Sequence, residues 1–176
     1  MTTIRGDSLV RWTEDETMKL AEALVLRADV QKRIEQLRNR LRQSALVQEG
    51  ETPPENPQEL LAEAERLTTE LGRLVARINR ANLATTLPDG STITDALARR
   101  DALQTLYSLI ETAAETASYR IDRYGRSEIR KVATVDVGAL RKQLERLAQE
   151  RRELDTAIQA TNWATEIGED TEVTGA

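Results

Sequence analysis

Apolar residues recur along most of this chain at alternating steps of three and four, the spacing that keeps side chains on one face of an α-helix. Leu60, Ala64, Leu67, Leu71, Leu74, Ile78 and Ala81 follow it without a break. They predict a helix over about 58–83 with a heptad seam. Val137, Leu140, Leu144, Leu147, Arg151, Leu154 and Ile158 predict another over about 136–164, with Arg151 the one charge on its seam. A seam arginine snorkels past the interface, pairs with an acid, for which its neighbours Glu150 and Glu153 are the exposed candidates, or fixes register or oligomer state. Leu103, Leu106, Ile110, Ala113 and Ala117 predict a helix over about 94–119, whose alanines imply close helix approach. Leu20, Leu24, Val30, Ile34, Leu37 and Leu41 keep mostly helical spacing and predict the first helix, about 18–47.

The segments between these runs carry stop and turn signals. Thr13, Glu14, Asp15 and Glu16 fit a capping box ahead of the first helix, with the Glu16 carboxylate reaching back toward the cap amide. The first helix stops at GETPPENP, because prolines 53, 54 and 57 lack amide donors and disfavour helical geometry before them. Leu87-Pro88-Asp89-Gly90-Ser91 is a strong turn signal, and its β-branched flanks predict a small hairpin across 84–93, with Thr94 or Ser91 capping the third helix. Residues 128–135 read as a third short strand, and Asp136 as the cap of the last helix.

Helices of this length span about 40 Å each. Antiparallel tracing brings the start of helix 1, the turn at 85–93 and the end of helix 4 to one end, and the proline connector and segment 119–135 to the other. A strand at 128–135 needs an edge to pair with. Its distance from the hairpin on this tracing implies either a bent or shortened helix or strand pairing between subunits, and both outcomes favour an assembly over a free monomer.

Two groups of polar residues are candidate sites. Asn79, Asn82, Asp95, Arg99, Asn162 and Trp163 fall at one end of the traced bundle, where an amide, hydroxyl and guanidinium cluster could form. The plainer reading of these residues is caps and surface ion pairs, with Asp95 and Arg99 four apart on one helix face. In YRIDRYGRSEIRKV, residues 119–132, Arg120, Arg123, Arg126, Arg130 and Lys131 stand against only Asp122 and Glu128, with Tyr119 and Tyr124 among them. Basic residues interleaved with aromatics neutralise phosphates and stack bases, so this is the candidate for nucleic-acid or other polyanion binding. Arginines at a bundle end also pair with acids of a neighbouring subunit.

Composition narrows the choice. The chain has 176 residues, of which 3% are aromatic, none Phe, and 31% charged. Its core must therefore be built from Leu, Ile, Val and Ala, the palette of helical bundles. A net charge of -5 supplies no global attraction to nucleic acid or anionic membrane. With no His and no Cys, the chain lacks the Glu-x-x-His pairs of di-iron bundles, the usual zinc ligands, Ser-His-Asp triads and thiolate chemistry. None of its eight glycines lies in a phosphate-binding loop pattern. The expectation is no catalytic residues, no metal and no cofactor. No apolar run reaches the roughly 18 residues of a membrane span, and the first residues lack a secretory apolar core, which places the chain in the cytoplasm.

The stretches MKLAEALVLRADVQKRIEQL, ARINRANLATTLPDGSTITDALARRDAL, DRYGRSEI with VATVDV, and ELDTAIQATNWATEI resemble the septicolysin-like family, small bacterial helical proteins of largely uncharacterised function. The resemblance covers about 18–167. It implies the helical fold, and the family label implies a cytolysin component with pore-forming activity; it supplies no catalytic residues. Sequences of this kind often begin at the equivalent of Met18, so the resemblance implies that 1–17 is either an extension or a misplaced start.

These readings converge on a mainly α fold of four long antiparallel helices with heptad seams, plus a small β-hairpin or short sheet. The expected organisation is an N-terminal extension at 1–17, a single helical domain at 18–167 and an acidic tail at 168–176. The expected function is that of a non-enzymatic homo-oligomeric helical scaffold or interaction protein. Polyanion binding through 119–131 and cytolysin activity are the alternatives.

Overall fold

The computed structural model describes residues 17–118 and 132–168. It is mainly helical, in the order β1 (Met18–Lys19), α1 (Leu20–Ser44), α2 (Pro57–Ala84), α3 (Ile93–Ser118), α4 (Val137–Ala164) and β2 (Glu166–Ile167). The chain divides into two compact units, Met1–Asn82 with Asn162–Ala176, and Leu83–Thr161.

In the first unit α1 and α2 run antiparallel. Arg40, late in α1, reaches Glu55 at 2.5 Å and Glu63 at 3.6 Å, at and just inside the start of α2. Between the two helices Val30, Leu37, Leu60 and Leu67 are buried, with Leu26, Ile34, Leu41, Ala64 and Leu71 packed around them. Burying each such leucine stabilises the fold by about 2 kcal/mol. Every member of the predicted α2 seam is buried or half-buried. The helix begins at Pro57, where the missing amide costs nothing. Asn56 caps it, its Oδ1 accepting from the Gln58 amide at 3.0 Å.

The start of α1 differs from the expectation. Met18 and Lys19 are extended, pairing antiparallel with Ile167 and Glu166, and the helix begins at Leu20. The capping carboxylate is that of Glu22, which accepts from the Lys19 amide at 2.8 Å. A ladder partner 147 residues away draws two residues out of helical geometry, and local spacing carries no trace of it. Thr13 and Glu16 lie outside the described residues.

The second unit contains α3 and most of α4, also antiparallel: Arg100 approaches Asp155, and Gln104 accepts a hydrogen bond from Arg151. The α4 seam is buried or half-buried throughout, and its arginine donates to the side-chain amide of Gln104 rather than to an acid. The α3 seam is shifted from the expected one. Ala96, Ile110 and Ala114 are buried and Leu103, Tyr107 and Ala117 half-buried, whereas Leu106 is 41% exposed. Tyr107, whose ring is apolar, takes the position assigned to its neighbour and keeps the same alternation of steps.

The predicted hairpin at 84–93 contracts to a single bridge, Thr86 to Thr92. Gly90, at φ 85°, closes the turn, and its amide donates to Leu87 O at 2.9 Å. Thr92, not Thr94 or Ser91, caps α3, its Oγ1 accepting from the Asp95 amide at 3.1 Å. The helix starts too early to leave room for a second strand. Residues 132–135 form no strand, while 128–131 lie outside the described residues. Asp136 caps α4 as expected, accepting from the Ala139 amide at 3.0 Å.

Candidate functional site

The predicted polar cluster divides between the two units, Asp95 and Arg99 in one, Asn79, Asn82, Asn162 and Trp163 in the other. Asp95 and Arg99 do not pair with each other in the geometry described. The Asp95 carboxylate accepts from the Thr92 hydroxyl at 2.7 Å, completing a reciprocal cap. The Arg99 guanidinium instead holds Glu150 of α4 at 2.5 Å and approaches Asp89 of the turn at 3.9 Å.

Asp89 itself accepts from the Ser91 hydroxyl at 2.6 Å and the Ser91 amide at 3.0 Å. These two donors, with the Arg99 charge, hold its carboxyl below the usual aspartate range. Glu150, by hydrogen bond and by charge, pushes Arg99 further up. The Arg99 and Glu150 side chains are about half exposed, so solvent screens the pair and its contribution to stability is small. The arrangement fixes a turn against two helices. It presents no unengaged acid or base.

In the other unit, Asn79 is exposed and Asn82 half-buried on the last turns of α2. Trp163 is 58% exposed, while its neighbour Asn162 is buried to 3%. Asn162 Oδ1 and Arg77 Nε are buried without a hydrogen-bond partner among the described residues. Arg77 does reach the β-ribbon, donating from Nη2 to Ile167 O at 3.4 Å. Beside that ribbon Lys19 donates to Glu166 at 2.7 Å and holds its carboxyl below the usual glutamate range.

Sequence reasoning does not single out Arg77 or Lys19, and it offers Glu150 as a partner for Arg151, whereas the structure pairs it with Arg99. Arg77 directly precedes the seam residue Ile78, and its significance depends on a strand formed 90 residues later. Asn162 carries a readable signal, since it stands four beyond the seam residue Ile158. Arg120, Arg123, Arg126, Arg130 and Lys131 lie outside the described residues.

Other surfaces offer less chemistry. A groove of about 450 Å³ along α1, lined by Gln31, Lys32, Ile34, Glu35 and Leu71, has a floor made of the seam residues Ile34 and Leu71. Among the described residues, no group of three or more His, Cys, Asp or Glu side chains could hold a metal ion, and no helix is long and apolar enough to cross a membrane. On α3, Leu109 is 65% exposed, one turn from the exposed Leu106.

No curated protein matches the chain. A solved structure described as a functionally unknown conserved protein from Corynebacterium diphtheriae is similar, with 47% identity and a TM-score of 0.81, over 86% of this chain and 99% of that one. Residues 27–167 match the model of a family described as a family of unknown function, DUF6847. The match takes in parts of all four helices, the Asp89 turn and β2, and the chain belongs to that family.

Proposed function

We propose that this protein is a non-enzymatic, homo-oligomeric helical scaffold or interaction protein of the cytoplasm. The observation that carries this reading is the pair of exposed leucines on α3, Leu106 and Leu109, on a helix that already has a separate buried face. A helix apolar on two sides has more surface to cover than its own hairpin covers. The polar groups support the same reading, because Asp95, Arg99, Asp89 and Glu150 are engaged in caps and ion pairs.

Light scattering across a dilution series, from about a hundred micromolar down to about one, tests it. A mass of at least two chains that falls on dilution is expected. A monomer at every concentration, with a full melting transition, defeats the reading.

A further inference from the structure

Ala98, Ala102, Leu106, Leu109, Ala113 and Thr116 follow one another along α3 at steps of four, four, three, four and three, so they share one face. All are exposed except Ala113, which is half-buried. None is charged, although 31% of the chain is. The strip runs about 27 Å along the helix. Thr105 and Thr112 stand beside it with their hydroxyls already used, donating to Asp101 O at 2.9 Å and Ser108 O at 2.8 Å. Covering this face would leave neither hydroxyl without a partner.

A neutral strip offers nothing to nucleic acid or to a charged peptide, and its match in charge is another neutral strip. The order of its residues goes further. Read from the midpoint between Leu106 and Leu109, it is nearly the same in both directions: Leu106 mirrors Leu109, Ala102 mirrors Ala113, and Ala98 mirrors Thr116. A two-fold interface has this property, since residue i must face j while j faces i.

We propose that this face of α3 is where a second copy of the chain docks, with the two α3 helices antiparallel; the inference rests on the oligomeric reading above. Leu106 meets Leu109 of the partner subunit at the centre, and Ala102 meets Ala113 of the partner subunit on either side, where small residues let the backbones close. At the edge, this register brings Asp101 toward Glu115 of the partner subunit. The Arg100 guanidinium, 3.0 Å from the Asp101 carboxylate within its own chain, offsets that repulsion. Association is therefore driven by apolar contact and does not weaken as salt is added.

Sedimentation velocity of the full chain, of Leu109→Glu, of Leu106→Lys and of their equimolar mixture tests the proposal. Each variant alone should dissociate at least about tenfold more readily than the parent, with its melting transition retained because both positions are exposed. The mixture should recover association, since the antiparallel register sets the new carboxylate opposite the new ammonium. If the parent associates and both variants associate equally well, this face is not the interface and the oligomeric reading stands without it. If both variants dissociate and the mixture does not recover, the antiparallel register is wrong. A parent that is monomeric throughout overturns both readings. Should Leu109→Glu fail to fold, Leu109→Gln probes the same contact.

Discussion

The two helical hairpins solve the same packing problem with different side chains. Between α1 and α2 the seam is almost entirely branched aliphatic, with Val30, Leu37, Leu60 and Leu67 buried at its centre. Between α3 and α4 the α3 side contributes Ala96 and Ala114, and the α4 seam is interrupted by Arg151, which donates to Gln104. The first hairpin gains its stability from the volume of its side chains. The second combines small residues, which allow close approach, with a polar contact, and Leu106 and Leu109 of α3 stay exposed. An aliphatic seam tolerates the loss of shape poorly, whereas an alanine seam tolerates added volume poorly.

The sharpest way to break this comparison is to remove volume from the first hairpin. Leu67 is fully buried, and Leu67→Ala should cost about 3 kcal/mol, read as a lower denaturant midpoint. Leu109→Ala, on the exposed face, should change stability by less than about 0.5 kcal/mol. Equal effects at the two positions would contradict the burial pattern.

The reverse perturbation belongs to the second hairpin. Ala96 is buried at the start of α3, and Ala96→Leu should destabilise by about 1–3 kcal/mol through overpacking. A neutral or stabilising result would mean that the hairpin is not closely packed there.

Helix caps should report a smaller difference. Asn56→Ala removes one acceptor at the start of α2, and Thr92→Ala removes one half of the reciprocal cap of α3. Each should cost about 1 kcal/mol in equilibrium unfolding, with Thr92→Ala the larger because the Asp95 carboxylate also loses the donor it accepts from.

The smallest effect should come from acid. Glu55, Asp89 and Glu166 all have carboxyls held below their ordinary range, by hydrogen bonds from Arg40, Ser91 and Lys19 respectively. A lowered folded-state pKa contributes stability above the unfolded value, and that stability is lost as pH falls through the lower folded value. Thermal stability should thus be flat above the ordinary glutamate value of 4.5 and decline below it. The decline is shallow because all three groups are solvent-exposed. A rise in stability on acidification would contradict the assigned pairs.

Helices were legible because their seams are local: α2 and α4 could be traced from spacing alone, since each apolar residue finds its neighbour three or four positions away. The features that were misplaced depend on partners far along the chain. Met18 and Lys19 read as helix until Glu166 and Ile167 pair with them. The α3 seam was assigned to Leu106 rather than Tyr107, because an amphipathic helix with apolar residues on two faces does not announce which face its hairpin takes. The polar cluster was assembled from end-to-end tracing of whole helices. It includes Asn162, whose polar side chain interrupts a seam, but not Arg77 or Glu150, whose partners Ile167 and Arg99 are set by tertiary packing.

The β-ribbon also bears on the order of events during synthesis. The Leu20 amide, at the first residue of α1, donates to Thr165 O at 2.9 Å, and Lys19 meets Glu166 across 147 residues of chain. Closing so long a loop has a high entropic cost, and contacts of this separation form after local ones. On a ribosome the start of the first helix must wait for nearly the last described residue to emerge. The α1–α2 hairpin can pack while its own first turn is still unclamped, and closure of the ribbon is then a late step that joins segments made far apart in time.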